Sequence, residues 1–433
     1  MKDLFLFEWR HIRNSGSFLG MLVIIPLLIG FSLHLGNERV NQQLETISQL
    51  REMEETFYYD KLNELKAIEA GEAEYNAWWQ NPANPLVLAQ FNQAGRHVFL
   101  EPKPLSALAS GQLDIFPYYG KVTLTTADPL RDNALENPFM QVAGSFDFAF
   151  VLVWLIPLFV IVMGYNVISS ERENGTYALL QSQPIAIKKI LFYKLLFRFL
   201  VISGLIVISL ILWALVYGIN VFSISGLQLI SIVLLYIAFW FCLCAIFNLY
   251  QTSSAVNAVG LAGLWVILLL VIPALISLIV STVHPIPSRA IWITEQRAIQ
   301  QDVQAQGEEL FDLWLVDHPE EFLEGDTPQF YQSWVRRLVW AENIAEREQK
   351  AERIFEEPRI RQSEMASRLR FLSPPMALQT WLERKAGSDA ERLRSLDQEL
   401  KRFQSEWQVF FLPRFYRLDF FTPDEFDLIP RPS

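Results

Sequence analysis

From Phe199 to Ser288 the sequence contains no Asp, Glu, Lys or Arg, a gap of 90 positions, whereas a soluble protein is typically about one-quarter charged. No water-exposed domain of that length reads this way, so the gap is membrane sequence. Cysteine is almost as scarce. Cys242 and Cys244 are the two present, both inside the gap, so neither large polar region can contain a disulfide and each is expected to hold together by a core of its own. Cys-x-Cys on a helix puts the thiols on roughly opposite faces, and with no His or further Cys nearby the pair is expected to pack or to face lipid. Hydrolytic motifs are also missing: there is no Gly-x-x-x-x-Gly-Lys-Ser/Thr phosphate loop, no His-Glu-x-x-His and no Gly-x-Ser-x-Gly. ATP hydrolysis, proteolysis and ester hydrolysis by this chain therefore have no support, and no catalytic, cofactor or metal residues are expected.

What is present is a series of uncharged runs. Ser17 to Leu35 is 19 residues long, enough at ~1.5 Å per residue to match a ~30 Å hydrocarbon core. A cleaved signal peptide is the rival reading. The run is long for one, contains Pro26, and ends at Leu33-His34-Leu35-Gly36 without a small-x-small cleavage site, so an uncleaved span is expected. Phe148 to Ser170 gives a second run. Polar breaks at Gly218-Ile219-Asn220 and at Asn248 to Ser254 divide the long gap into spans at 199–217, 227–248 and 255–282. These spans contain no Asp, Glu, Lys or Arg, which argues against a proton- or sodium-coupled carrier. Residues 1–16 are read as a cytoplasmic lead-in or an interfacial helix, the two being about equally supported.

Basic residues near span ends set the orientation. Lys2, Arg10 and Arg13 precede the first span, and Arg172, Lys188, Lys189, Lys194 and Arg198 fill 171–198 between the second and third, so both segments are assigned to the cytoplasm. The segment 36–147 carries 8 Lys+Arg against 16 Asp+Glu, and the tail from Arg289 carries 20 against 27. Residues 36–147 and 283–433 are accordingly read as two extracytoplasmic domains. The first opens with Val40, Leu44, Ile47, Leu50, Met53 and Phe57 at spacings of three and four, which predicts an amphipathic helix leaving the membrane. Lys121 to Thr126 alternates as a strand does, so this domain is expected to be mixed α/β. The second is expected to be mainly helical, with a charged helix over Ala341 to Glu357 supported by Glu346/Lys350 and Arg353/Glu357 pairs and stopped by Pro358.

At the cytoplasmic mouth of the second span lies Glu171-Arg172-Glu173-Asn174-Gly175-Thr176-Tyr177-Ala178-Leu179-Leu180-Gln181-Ser182-Gln183-Pro184-Ile185. Acidic residues favour a helix start and Pro184 ends a helix, which predicts a short cytoplasmic helix between two spans. Glu-x-Glu-x-Gly-Thr, then Leu-Leu, then Pro-Ile and a following Lys resembles the coupling-helix region of type-2 ATP-binding cassette (ABC) permeases. Two further segments look like signatures of a bacterial subfamily with two large extracytoplasmic insertions: Ser110-Gly111-Gln112-Leu113-Asp114-Ile115-Phe116-Pro117-Tyr118-Tyr119, and Leu372-Ser373-Pro374-Pro375-Met376-Ala377-Leu378 with Ala386-Gly387. Those permeases have six spans, and the sixth would follow the second outer domain. No apolar run of that length follows Ser288 here, and loss of a terminal helix is the expectation.

The resemblance implies a polytopic α-helical membrane protein of the bacterial cytoplasmic membrane, N-terminus inside, acting as the permease of an ATP-driven exporter. It implies ATP on partner subunits, namely cytoplasmic ABC ATPases that receive the coupling helix in a groove. It also implies a second permease copy or a sister permease, with membrane lipid around it and no nucleic acid. ATPase coupling then falls to Glu171, Glu173, Gly175, Thr176, Leu179, Leu180 and Pro184. The rival expectation is a non-transporting, ATPase-coupled scaffold that moves its outer domains against envelope proteins.

Overall fold

The computed structural model describes residues 8–10, 13, 16–91, 93–114, 116–129, 146–183, 185–250, 253–320, 322–323 and 327–432. Five helical segments are long and apolar enough to cross a membrane: Gly16–Glu69, Phe148–Glu173, Ile187–Val216, Ile224–Tyr250 and Ser254–Val283. The protein is a polytopic helical membrane protein. One apolar core runs through the bundle, with Ile25, Ile29, Val160, Ile206, Val233 and Trp240 at its centre. Cys244 is buried in it while Cys242 on the opposite face is exposed, as the Cys-x-Cys spacing predicts. The first span does not stop at the membrane: its helix continues without a break to Glu69, so the amphipathic pattern after Val40 is the same helix carried onward.

Prolines loosen the spans, and at Pro157 a polar side chain from a neighbouring span meets the carbonyl it frees. The turn before Pro157 is π-helical from Val151 to Leu155, and Tyr236 Oη donates to Val153 O at 2.9 Å. The turn before Pro273 is π-helical from Ile267 to Val271. Two tryptophans also bond to carbonyls of other spans: Trp213 Nε1 donates to Pro26 O at 2.9 Å and Trp265 Nε1 to Trp154 O at 3.2 Å. Trp213 thus ties the third span to the first.

Outside the bundle the chain builds a three-stranded antiparallel sheet of β1 (Arg96–Phe99), β2 (Tyr119–Val122) and β3 (Ala127–Pro129) in the order 1-2-3. Among the described residues five α-helices follow the last span: α1 (Arg289–Ala305), α2 (Gly307–Asp317), α3 (Gln329–Leu369), α4 (Pro374–Ala386) and α5 (Ala390–Tyr416). The expectation of two separate cores gives way to a single one. Leu86, Val98 and Val122 from the first polar region pack with Tyr331, Leu400, Trp407 and Phe411 from the second, because α5 lies across the sheet. Trp407 Nε1 donates to Ala89 O at 3.3 Å and Gln408 Nε2 to Leu124 O at 2.8 Å. Pro358 does not stop the charged helix. α3 runs through it to Leu369; Ile354, whose carbonyl loses its helical donor, is exposed, so water can satisfy that group. Glu346 pairs with Lys350 at 2.6 Å as expected, whereas Glu357 pairs with Arg361 at 3.6 Å instead of Arg353.

The two outer segments with no evident chemistry in the sequence meet each other here. Gln112 N donates to Ser388 O at 2.8 Å and Ser106 Oγ to Ala386 O at 2.7 Å. Gly111 has φ +50°, and a Cβ there would lie 2.6 Å from Ser388 O, so both its backbone and the close approach require glycine. The joint is pinned to the bundle twice. Asp147 Oδ2 accepts from Ser110 N at 2.9 Å while its Oδ1 accepts from Phe150 N at 2.7 Å, capping the second span, although burial pushes this carboxyl up from its ordinary pKa. Ser373 caps α4 and also donates through Oγ to Leu268 O at 2.6 Å, in the π turn of the fifth span. Leu378, Leu382 and Ala386 of α4 join the bundle core.

Candidate coupling site at the end of the second span

The second span ends in a hairpin of short helices instead of one cytoplasmic helix. Its helix runs to Gly164, four turn residues follow, and a five-residue helix Ser169–Glu173 leads through Asn174 and Gly175 into a second one, Tyr177–Gln181. The break at 165–168 is held by amides from two other spans. Asn248 Nδ2 donates to Gly164 O and Cys244 O, both at 2.8 Å, and its Oδ1 accepts from Ile168 N at 3.0 Å. Asn257 Nδ2 donates to Tyr165 O at 2.9 Å. Both side chains are fully buried, so each replaces helix bonds that the turn has lost. In the sequence Asn248 reads only as a break between spans, and a lone Asn inside an apolar run is the signal that could have found Asn257.

The acidic pair lies in the first short helix, Glu171 in its first turn and Glu173 as its last residue, and makes contacts within the protein. Glu171 Oε1 accepts from Lys194 Nζ at 2.7 Å, and its Oε2 accepts from Thr176 Oγ1. Glu173 Oε1 accepts from Ser254 N at 2.7 Å, a donor at the start of the fifth span where the helix dipole favours a negative charge. Gly175 has φ +74° and open space around its Cβ position, so the reversal needs its backbone freedom and not its small size. Arg172 lies 4.8 Å over the Tyr177 ring. Leu180 is half-buried, whereas Leu179 is 67% exposed and Gln181, Ser182, Gln183 and Ile185 are also exposed. Pro184 lies outside the described residues.

Sequence reasoning missed what stands behind Glu171. The third span begins at Ile187, so Lys194 and Arg198 are inside its helix and buried, and the uncharged lining expected of the bundle does not extend to this end. Glu8 lies between them: its Oε1 is 3.2 Å from Lys194 Nζ and its Oε2 3.3 Å from Arg198 Nη2. Arg198 Nη1 also donates to Met163 O at 2.5 Å. Two carboxylates and two cations thus balance in a site where the Glu8, Lys194 and Arg198 side chains are each under a tenth exposed. Such a cluster fixes geometry more than it adds stability, because desolvation offsets most of the attraction. It links the segment before the first span, the hairpin and the third span.

Residues 4–410 match the sequence profile of the family described as ABC-2 family transporter protein. The chain belongs to the ABC-2 transporter family. Neither the curated proteins nor the solved structures give a match. An ABC-2 permease supplies the membrane part of a transporter and works with ABC ATPase subunits, so transport across a membrane is the role of the bundle. The matched range contains all five spans, the hairpin and the joint at Ser373.

Proposed function

We propose that this ABC-2 permease is the membrane subunit of an ATP-driven exporter in a bacterial cytoplasmic membrane, with the hairpin in the cytoplasm and the polar body outside. It works as a pair with a second copy or a sister permease, and the phosphate loop absent from its own sequence is supplied by two cytoplasmic ATPases. The observation that carries this reading is the hairpin's division of labour. Leu179, Gln181, Ser182, Gln183 and Ile185 are turned outward, while Glu171 and Glu173 anchor the same hairpin to the third and fifth spans at 2.7 Å. A partner that grips Leu179 and moves the hairpin therefore displaces two spans at once. Among the seven coupling residues expected from the sequence, Leu179 is the contact residue, Glu171, Glu173 and Thr176 are anchors, Gly175 makes the reversal, and Leu180 packs beneath.

The non-transporting scaffold is kept as a second reading because one observation favours it. Ser373 Oγ donates to Leu268 O, so motion of the fifth span reaches α4, which leads directly into α5 of the shared outer core. ATP hydrolysis by the purified complex separates the two. For an exporter, amphiphilic small molecules or lipids should raise the rate with no other protein added; a rate that responds to an envelope protein alone would leave the scaffold reading in place.

A further inference from the structure

The first turns of the fourth span and α4 enclose a groove of about 600 Å³ that opens away from the bundle. Ile224, Leu227, Ile232 and Leu235 form an apolar floor along the span, beside the polar groups of Gln228, Ser231 and Lys385 and the Trp381 ring. From Gln228 to Leu235 the helix advances about 10 Å, so the floor extends from the level of Lys385 and Gln228 inward along the span to Leu235. Lys385 Nζ donates to Gln228 Oε1 at 2.6 Å and lies 5.7 Å from the Trp381 ring centroid. Among the described residues no carboxylate pairs with it, and burial of α4 against the bundle keeps it half-buried.

We infer that this groove is a binding site for an anionic phospholipid, its phosphate against Lys385 and the Gln228 amide N–H and an acyl chain along Leu227, Ile232 and Leu235. A cation fixed beside a tryptophan at the membrane boundary attracts a negative headgroup, and the apolar floor gains by covering its exposed surface with methylene groups. An apolar protein surface is a poor occupant because it would strip water from the Lys385 charge without replacing it. A second copy docked on the same face would oppose two Lys385 side chains across its symmetry axis. The site rests on the fourth span and α4 and stands independently of the export reading.

The test uses the full chain in nanodiscs of phosphatidylcholine doped with a lipid whose acyl chain is photoactivatable, the headgroup being either phosphatidylglycerol or phosphatidylcholine. Peptide mapping after irradiation is expected to find several-fold more labelling of 224–235 and 381–385 with phosphatidylglycerol, and no competition from soluble glycerol phosphate. Lys385→Gln should reduce that labelling to the phosphatidylcholine level. Equal labelling of the wild-type chain by the two headgroups, or no labelling of either segment, overturns the site; this comparison needs no variant and so decides the matter even if Lys385→Gln misfolds. Loss of labelling with glycerol phosphate also overturns it, in favour of a free-phosphate site. A disulfide forming between two copies at Leu227→Cys in place of lipid labelling overturns it in favour of a dimer face.

Discussion

Lys194 shows how much a single position can carry when its surroundings are dry. Its ammonium faces Glu171 and Glu8 at 2.7 and 3.2 Å, and removing it leaves the buried Glu8 with Arg198 alone and the partly exposed Glu171 without its cation. Lys194→Met should therefore cost about 3–5 kcal/mol, as breaking buried pairs does. Adding Glu171→Gln to Lys194→Met should restore part of that loss, measured as melting temperature in detergent; strictly additive losses would show that the two side chains do not interact. The sequence could not reveal this cluster. Lys194 and Arg198 look like ordinary flanking cations there, and their burial depends on Glu8, 186 and 190 positions away in the chain, arriving from the other side. The reversal at Gly175 was also hidden, since one short helix was expected there; its φ of +74° makes glycine the residue that turns without strain.

Among the elements, the five spans were readable from the sequence because lipid demands about twenty uncharged residues in a row, a signal that no other structure imitates. The short elements were not. The helix pattern alone placed Glu171 and Glu173 at a helix start, but after the turn at 165–168, held open by Asn248 and Asn257, the helix is five residues long, with Glu171 in its first turn and Glu173 its last, exposed residue. α4 packs on the bundle and leads into α5 of the outer body, and Ser373 does two things for it: it donates to Leu268 O and caps Met376 N. Ser373→Ala removes both and should lower stability by about 1–2 kcal/mol. Hydrogen exchange should then quicken at 374–386 and at the π turn of the fifth span together. Faster exchange in α4 alone would mean that the joint does not connect it to the span.

At the scale of the whole molecule, the account places the hairpin and the polar body on opposite sides of one membrane. The two acidic polar regions were legible as non-membrane segments, but their fusion into one body was not, since contacts such as Trp407 with Ala89 join residues more than 300 positions apart. Single cysteines at Glu52 and Ser395, both exposed, on a chain lacking Cys242 and Cys244, should react with a membrane-impermeant thiol reagent in intact spheroplasts. A cysteine at Ser182 should react only after lysis; labelling of Ser182 before lysis would reverse the orientation. The central claim, that an ATPase drives this bundle through the hairpin, is tested most directly by the ATP hydrolysis that accompanies the full chain when it is purified from its native membrane. Leu179→Asp replaces an exposed apolar anchor with a charge and touches no buried contact, so it should leave the melting temperature unchanged while co-purifying ATPase activity falls tenfold or more, equivalent to at least about 1.4 kcal/mol of lost docking energy. A Leu179→Asp chain that melts as the wild type does and carries undiminished ATPase activity would contradict the claim.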